Sequence, residues 1–177
     1  MSASISSSVS KVSRSINKNK YITFFLDREE YGVDIHQIKE IIGIMDITPI
    51  PNTPAHIKGV LNLRGKIIPV IDLRLKFGMD FMEYQNRTSI IIIEVNFGDG
   101  KNPMMGIIVD TVSEVLQIDK DEIEETPYFG TNIDTDFILG MAKVDGKVKI
   151  LLDVNKVLTT EEVKILKKMQ KDENVEN

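Results

Sequence analysis

The sequence predicts a mainly β protein of the barrel or sandwich type, and three observations support this prediction. Short runs rich in β-branched and aromatic residues recur along the chain, among them YITFFLD, KIIPVIDL and TSIIIIEVNF. Turn-forming residues separate these runs, as in GDGKNP and the proline-rich ITPIPNTP. Helical spacing of apolar residues is limited to short stretches and to the C-terminus.

The first predicted element is a β-hairpin that begins near residue 20, where YITFFLD and EYGVDI flank the charged REE. In the following IHQIKEII, Ile35, Ile38 and Ile42 fall near helical spacing, which predicts a short helical turn. The aliphatic side of this turn either packs in the core or faces a partner, with Glu40 at the rim of the interface.

A second hairpin is predicted over residues 57–73, IKGVLNLRGKIIPVIDL, with its turn at Arg64 and Gly65. Asp72 ends this run, and its carboxylate can cap the free amides of a short helix that follows. TSIIIIEVNF and MMGIIVDTV then predict further buried strands.

The C-terminal region predicts a helix over residues 160–170. Thr159 and Glu162 have the spacing of a capping box, in which each side chain bonds a free amide of the first turn. The apolar stripe of this helix consists of Val163, Leu166 and Met169. Residues 171–177 are predicted to be a frayed tail.

Composition limits the classes of protein to consider. The chain has 177 residues, a formal net charge of −5 and no cysteine, so it has no disulfide, thiolate metal site or cysteine nucleophile. An acidic balance disfavours nucleic-acid binding. No apolar run reaches the roughly 18 residues of a membrane span. Residues 1–19 are Ser-rich and contain no acidic residue, which predicts a disordered tail, although a transit peptide has a similar composition.

An internal duplication is visible in the sequence. ILGMAKVDGKVKILLDV matches IKGVLNLRGKIIPVIDL without a gap, with Gly140 lying 81 residues after Gly59. Upstream, GIIVDTVSEV matches GVDIHQIKEI, with Gly106 lying 74 residues after Gly32. The second copy is therefore seven residues longer, most simply in the loop around TPYFGTNIDTD. Two matches in the same order predict a repeated β unit.

The duplication makes Arg64 unusual. Two-residue hairpin turns favour Asn-Gly or Asp-Gly, and the second copy has Asp145 followed by Gly146. The first copy has Arg64 at the same place, with no evident folding benefit. Either Arg64 is a tolerated, solvated turn residue, or it is there for recognition. Glu40 has the opposite charge and is a candidate partner of Arg64.

No catalytic constellation is found. The two histidines, His36 and His56, lack the spacing of a metal pair, and no P-loop, calcium loop or nucleophile elbow occurs. We therefore expect no enzyme activity, no metal site and no cofactor, and we expect a binding function instead.

The stretches EYGVDIHQIKEII, ITPIPNTPAHIKGVLNLRGKIIPVIDLRLKF, GIIVDTVSEVL and ILGMAKVDGKVKILLDV closely resemble the CheW family of chemotaxis coupling proteins. The resemblance covers roughly residues 20–158. It implies a fold of two small five-stranded SH3-like β-barrels packed together, with short helices and a C-terminal helix. The expected organisation is a single domain over residues 20–170, with pseudo-repeated barrel units at approximately 20–85 and 86–158.

The same resemblance implies a non-catalytic adaptor that couples the cytoplasmic tips of chemoreceptors to the histidine kinase CheA, through the kinase's regulatory domain. The chain would then be cytoplasmic and monomeric when free, recruited to receptor arrays without membrane insertion. The receptor-binding residues implied are Ile38, Glu40, Gly59, Asn62, Leu63, Arg64 and Gly65. The kinase-binding residues implied are Ile22, Ile35 and Ile38.

Two alternatives stay open at this point. A CheW-type scaffold can serve another chemosensory-like pathway, with surface motility or second-messenger output. An SH3- or OB-like nucleic-acid binder is the rival from a different class, but it requires a basic face with stacking aromatic residues. Aromatic residues make up only 6% of the chain.

Overall fold

A computed structural model describes residues 18–126 and 135–175. The predicted N-terminal tail lies outside the described residues, except for residues 18 and 19, which already belong to the first strand. Most of the loop expected to hold the seven extra residues of the second copy also lies outside them.

Strands dominate the described residues, and helices are few, which confirms the predicted mainly β class. The strands are β1 (Lys18–Leu26), β2 (Glu29–Asp34), β3 (Ile38–Gly43), β4 (Ile57–Leu63), β5 (Lys66–Asp72), β6 (Ser89–Glu94), β7 (Met104–Val109), β8 (Thr111–Asp119), β9 (Ile123–Glu124), β10 (Ile138–Val144) and β11 (Lys147–Leu152). The helices are α1 (Leu73–Lys76), α2 (Thr160–Val175) and single 3₁₀ turns at Ile35–Gln37, Lys120–Glu122 and Val154–Lys156.

The strands form two sheets. Sheet A has the order β8-β1-β2-β11-β10-β9, and sheet B has the order β3-β6-β7-β5-β4. Sheet B has the five strands that were expected, whereas sheet A gains a sixth from the two-residue β9. Most neighbours are antiparallel, but β2 pairs with β11, and β7 with β5, in parallel.

The two copies of the repeat exchange hairpins. The first copy supplies β1 and β2 to sheet A, while its strands β3, β4 and β5 build sheet B. The second copy does the opposite: it supplies β6 and β7 to sheet B, while its later strands lie in sheet A. Neither sheet is therefore built from one of the predicted units, 20–85 or 86–158, alone. The domain boundaries themselves stay a prediction.

Equivalent positions in the copies have equivalent roles. Gly59 in β4 and Gly140 in β10 each lie at a register shift. A Cβ on Gly59, whose φ is 137°, would overlap the carbonyl oxygen of Thr48. A Cβ on Gly140 would lie 2.9 Å from the carbonyl oxygen of Glu124. Both glycines thus allow a neighbouring backbone to approach the hairpin closely.

Within residues 18–126 and 135–175, buried side chains form three apolar clusters. One contains Leu61, Ile68, Val70, Ile90, Ile92 and Ile108 of sheet B. A smaller one contains Tyr21, Ile118, Ala142 and Leu151 of sheet A. The largest draws on both sheets and on α2, with Phe24, Val33, Ile71, Ile91, Leu152 and Leu166 among its members. Since this third cluster joins the sheets, they pack together as expected.

Arg74 ties the exchanged hairpins to α1. Its Nη1 donates to Oδ1 of Asp27 at 2.9 Å and to Oδ2 of Asp110 at 2.6 Å. Asp27 lies in the β1–β2 turn and Asp110 lies between β7 and β8. The Arg74 side chain is only 10% exposed. A buried charge of this kind needs partners, and here they come from both copies.

Helix α2 confirms its predicted start and apolar stripe. The Glu162 amide donates to Oγ1 of Thr159 at 3.2 Å, and the Thr159 amide donates back to Oε2 of Glu162 at 3.4 Å. Leu166 is buried, with Val163 and Met169 packed beside it. The helix continues to Val175, beyond the predicted end at residue 170, because residues 171–175 contain no glycine or proline to stop it.

Candidate functional site: the tip of the β4–β5 hairpin

The turn between β4 and β5 is a tight two-residue turn. Leu63 pairs with Lys66, leaving Arg64 and Gly65 at the tip. Both tip residues have left-handed backbone angles, with φ of 52° for Arg64 and 89° for Gly65. These angles match the right-handed twist of the flanking strands. Oδ1 of Asn62 accepts a hydrogen bond from the Gly65 amide at 2.8 Å and fixes the turn further.

Arg64 forms a two-pronged ion pair with Glu40, as the sequence suggested. Nη1 of Arg64 donates to Oε1 of Glu40 at 3.1 Å, and Nη2 donates to Oε2 at 2.5 Å. The hydrogen bond from Arg64 lowers the pKa of Glu40 below its ordinary value. The same hydrogen bond raises the pKa of Arg64. The Arg64 side chain nevertheless stays 70% exposed, so its guanidinium keeps an open side toward solvent.

This ion pair connects two strands that are far apart in the sheet order. Glu40 lies on β3, and Arg64 directly follows the last residue of β4. These two strands are the opposite edges of sheet B. Their side chains can meet only if the sheet curls and brings its edges together. This curvature is the barrel-like form expected of the fold. Ile42 lies on the same face of β3 as Glu40, whereas Ile41, which is 39% exposed, lies on the opposite face.

The second copy provides an internal comparison for the turn. Asp145 and Gly146 between β10 and β11 have φ of 53° and 77°, close to those of Arg64 and Gly65. Both turns therefore require the same left-handed backbone angles. Aspartate tolerates the left-handed region better than arginine does. The choice of Arg64 follows from its side chain rather than from the turn.

The remaining residues of the predicted receptor set differ in burial and in the cluster that they contact. Leu63 is half-buried and packs against the apolar cluster of sheet B. Ile38 is half-buried and packs against the large cluster between the sheets. Gly59 is buried beneath Thr48, where its role is structural. The tip thus gathers Arg64, Gly65, Asn62 and Leu63, with Glu40 brought in from β3. The binding role of the set stays a prediction.

The predicted kinase set is less exposed than the tip. Ile22 on β1 is only 8% exposed and belongs mainly to the core. Ile35 is half-buried in the 3₁₀ turn that follows β2. Ile38 is half-buried at the start of β3. Ile22 pairs with Val33 across the β1–β2 hairpin. Ile35 is two residues after Val33, so it lies near Ile22. The contact of this set with a kinase also stays a prediction.

The helical turn predicted for IHQIKEII is wrong beyond its first residues. Only Ile35–Gln37 are helical, and Ile38–Gly43 form the edge strand β3. Asp34 stops β2 and accepts a hydrogen bond from the His36 amide at 2.9 Å, which sets the short turn. The register with β6 shifts between Ile38 and Glu40. In the sequence, Ile38 and Ile42 are four residues apart, an even step that fits one face of a regular strand as well as one face of a helix.

One exposed aromatic group was not singled out from the sequence. Phe81 is 50% exposed, and Nζ of Lys58 on β4 lies 5.0 Å from the centre of its ring. Tyr84 meets the same ring at 5.5 Å and donates its hydroxyl to Oδ2 of Asp72 at 2.9 Å. In DFMEYQN the apolar residues have neither the spacing of a strand nor that of a helix. The sequence pattern therefore gave no reason to single out Phe81.

Within residues 18–126 and 135–175, no group of three His, Asp or Glu side chains is arranged to hold a metal ion. In the same part of the chain, neither helix is both long enough and apolar enough to cross a membrane.

Comparison with known proteins agrees with the geometry. Residues 20–162 match the family model described as the CheW-like domain. The chemotaxis protein CheW of Klebsiella aerogenes is 38% identical over 163 residues, which cover 92% of this chain and 95% of that protein. CheW of Bacillus subtilis is 34% identical over 143 residues, covering 80% and 88%.

Among solved structures, the scaffolding protein TtCheW from Thermoanaerobacter tengcongensis superimposes with a TM-score of 0.70 at 42% identity. The alignment covers 79% of this chain and 92% of that one. Fold, repeat and sequence therefore agree, and the chain belongs to the CheW-like family of chemotaxis scaffold proteins.

Proposed function

We propose that this chain is a non-catalytic adaptor that couples chemoreceptors to the histidine kinase CheA. It binds the cytoplasmic tips of the receptors with the β4–β5 hairpin and the adjoining β3 edge. It binds the regulatory domain of the kinase with the aliphatic residues around the β1–β2 hairpin. It works in the cytoplasm as a monomer when free and is recruited to receptor arrays without entering the membrane.

The observation that carries this proposal is the Arg64–Glu40 pair. A non-glycine residue in the left-handed region costs folding energy, and such strain persists at sites with a function. The second copy shows that this fold builds the same turn with Asp145. Arg64 presents a planar set of donors, one side of which is already oriented by Glu40. A partner carboxylate or backbone carbonyl can take the open side.

The apolar surroundings suit a helical partner. Ile42 is half-buried on the same face of β3 as Glu40, and Leu63 is half-buried beside the tip. A helix laid across this region would place its apolar face against these residues and its polar side near Arg64. The charged pair then forms the polar rim of the interface and contributes specificity more than affinity. Weak single contacts suffice, since many copies in an array supply avidity.

The test is a titration of the purified protein with two partners from the same cell. The first partner is the regulatory domain of CheA, and the second is a receptor-tip fragment. The wild-type protein is expected to bind both saturably. Arg64→Ala is expected to fold normally, keep kinase binding and lose receptor binding by at least tenfold, as expected for loss of a charged contact at an interface.

Asp145→Ala is the matched control, because it changes the same position of the other hairpin turn. It is expected to keep both partners. Loss of receptor binding by Asp145→Ala, or unfolding of Arg64→Ala, would contradict the recognition role of Arg64. If no CheA regulatory domain binds, the family assignment stands and the proposed coupling does not. A scaffold role in another chemosensory pathway would then be tested with that pathway's kinase.

A further inference from the structure

One side-chain amide links three segments that come from distant parts of the chain. Oδ1 of Asn155, on the 3₁₀ turn after β11, accepts a hydrogen bond from the Asn96 amide at 2.8 Å. The same oxygen accepts a second hydrogen bond from Nε2 of Gln37 at 3.1 Å. A backbone amide can only donate, so the contact with Asn96 fixes which way the Asn155 amide points. Asn155 thereby connects the end of β11, the β6–β7 connection and the turn between β2 and β3.

Gln37 belongs to the turn Ile35–Gln37, in which the chain passes from sheet A to sheet B. The β1–β2 ladder ends at Asp34, and the β3–β6 ladder begins at Ile38, so the turn lies outside both ladders. The cap at Asp34 sets the shape of the turn locally. A local cap does not determine where the turn lies relative to the two sheets. The hydrogen bond from Gln37 to Asn155 supplies that connection.

The other copy of the repeat contains an equivalent link at Arg74. Arg74 lies 81 residues before Asn155, which is the spacing of the repeated hairpins. It follows β5 as Asn155 follows β11, and it bonds Asp27 in the β1–β2 turn and Asp110 at the junction of β7 and β8. Each link thus joins the end of one strand to a hairpin connection and to a junction at which the chain changes sheets. Because the link recurs with a different side chain, it is a feature of this fold rather than of one residue type.

The two links differ in strength and in what they support. Arg74 donates to two carboxylates, and such charge-assisted hydrogen bonds are about twice as strong as neutral ones. The two bonds that Asn155 accepts are neutral. The junction held by Arg74 carries Asp110, whereas the junction held by Asn155 carries Ile35 and leads into Ile38. The position of these two aliphatic residues therefore depends on a weak link.

We propose that Asn155 is a positioning residue for the kinase-binding surface. It acts through Gln37, which holds the turn that presents Ile35 and Ile38. A turn that is already in place costs less ordering when a partner binds than one that has to be immobilised. This inference rests on the proposed function, because the surface that Asn155 serves is the aliphatic set proposed to bind CheA.

Two substitutions of Asn155 separate this role from a general loss of stability. Leucine has a similar size but no acceptor, whereas aspartate keeps oxygens that accept from both donors. Asn155→Leu is expected to weaken binding of the CheA regulatory domain by about fivefold, and Asn155→Asp is expected to bind it like the wild type. Both variants are expected to keep the wild-type affinity for the receptor-tip fragment. Lys156→Leu, at the exposed next position of the same turn, is the matched control and is expected to keep both affinities.

NMR measures the link itself with no partner present. In Asn155→Leu, the side-chain NH₂ signals of Gln37 and the backbone amide signals of residues 35–38 are expected to shift. The backbone amides of Arg64 and Gly65, in the other hairpin region, are expected to stay in place and serve as the internal reference.

A pair of substitutions tests whether Asn155 acts through Gln37. Gln37→Leu is expected to weaken kinase binding, and adding Asn155→Leu to it is expected to cause no further loss. Two independent contacts would instead give losses that multiply.

The positioning role is overturned, with the proposed coupling intact, if Asn155→Leu binds the kinase domain as tightly as the wild type does. It is also overturned if Asn155→Asp fails to restore binding, if the NMR signals of the turn do not move, or if the two leucine substitutions act independently. Failure of the proposed function has a different signature, since the wild-type protein itself would then bind no CheA regulatory domain, and the positioning role would fall with it.

Discussion

At Arg64, the residue type that the backbone conformation favours differs from the residue type that the sequence has. Asparagine tolerates left-handed backbone angles and suits the first position of this turn. Arg64→Asn is therefore expected to keep or raise the midpoint of thermal unfolding while abolishing receptor-tip binding. Differential scanning calorimetry and the binding titration measure the two effects on one sample.

Asp145→Asn is the control for this substitution, because the backbone angles at Asp145 and Arg64 are nearly the same. It is expected to change neither stability nor binding. If Arg64→Asn bound the receptor as well as the wild type, the guanidinium would have no part in recognition.

The pKa of Glu40 is a measure of the Arg64–Glu40 ion pair. The hydrogen bond from Arg64 lowers the pKa of folded Glu40 below the ordinary 4.5. A carboxylate whose pKa is lowered by folding contributes stability at neutral pH, and that contribution is lost as the pH falls through the folded-state pKa. In Arg64→Ala, the pKa of Glu40 is expected to rise toward its ordinary value, as followed by NMR titration of the side-chain carbonyl carbon. An unchanged pKa would show that the pair does not form in solution.

Gly59 tests a different kind of constraint. Gly59→Ala places a Cβ on the Thr48 carbonyl oxygen at a backbone angle that side chains rarely adopt. The expected loss is about 3 kcal/mol or more in the free energy of unfolding, measured with denaturant. Gly43→Ala is the control, since nothing lies within 4 Å of the new Cβ. It should stay within about 0.5 kcal/mol of the wild type. A mild effect of Gly59→Ala would mean that the Thr48 segment moves away easily.

At the scale of elements, helix α2 is held by its buried stripe more than by its own helical tendency. Leu166 is 3% exposed in the cluster between the sheets. Leu166→Ala is expected to lower the free energy of unfolding by about 2–5 kcal/mol, measured by chemical denaturation. Lys168→Ala, on the exposed side of the same helix, should cost no more than about 0.5 kcal/mol. Equal effects of the two substitutions would indicate that α2 does not pack on the core.

The same elements show what local sequence can predict. The Thr159–Glu162 box and the Asp72 cap depend on contacts within three residues, and both form. The turn at Arg64 and Gly65 is equally local, and it was predicted from the apolar runs on either side of it. By contrast, β3 was misjudged, because the four-residue spacing of Ile38 and Ile42 fits one face of a strand as well as one face of a helix.

The candidate site divides in the same way. The tip residues adjoin one another in sequence, so a hairpin prediction already placed Asn62, Arg64 and Gly65 together. Glu40 was suggested by charge alone, and only the curl of sheet B explains why it meets Arg64. Outside the site, Lys76 and His56 contact Glu162 at 2.8 and 3.1 Å, and no sequence clue indicated these contacts because the residues lie far from Glu162 in the chain.

At the scale of the whole molecule, the exchange of hairpins interlocks the two sheets. Sheet A needs β1 and β2 from the first copy, and sheet B needs β6 and β7 from the second. Neither copy can complete a sheet alone, so the molecule is expected to unfold as one cooperative unit. Leu151→Ala, in the interior of sheet A, should therefore lower the stability of both sheets equally, by about 2–5 kcal/mol.

Native-state hydrogen exchange measures this effect amide by amide. The slowest amides of β6 in sheet B and of β2 in sheet A are expected to lose the same protection. Val148→Ala, at an exposed position of the same strand as Leu151, is the control and should leave both unchanged. Loss of protection confined to sheet A would show that the sheets unfold separately.

The hairpin exchange also has a consequence for the synthesis of the chain. Residues 18–34 leave the ribosome long before residues 147–152, which form β11, the strand that pairs with β2. At about 5–20 residues per second, roughly ten seconds pass before that partner strand is made. During this interval Phe24 and Tyr31, both buried in the finished protein, lack the part of their cluster that the end of the chain supplies, such as Leu152. The nascent N-terminal hairpin is therefore expected to expose apolar surface to chaperones until β11 is made.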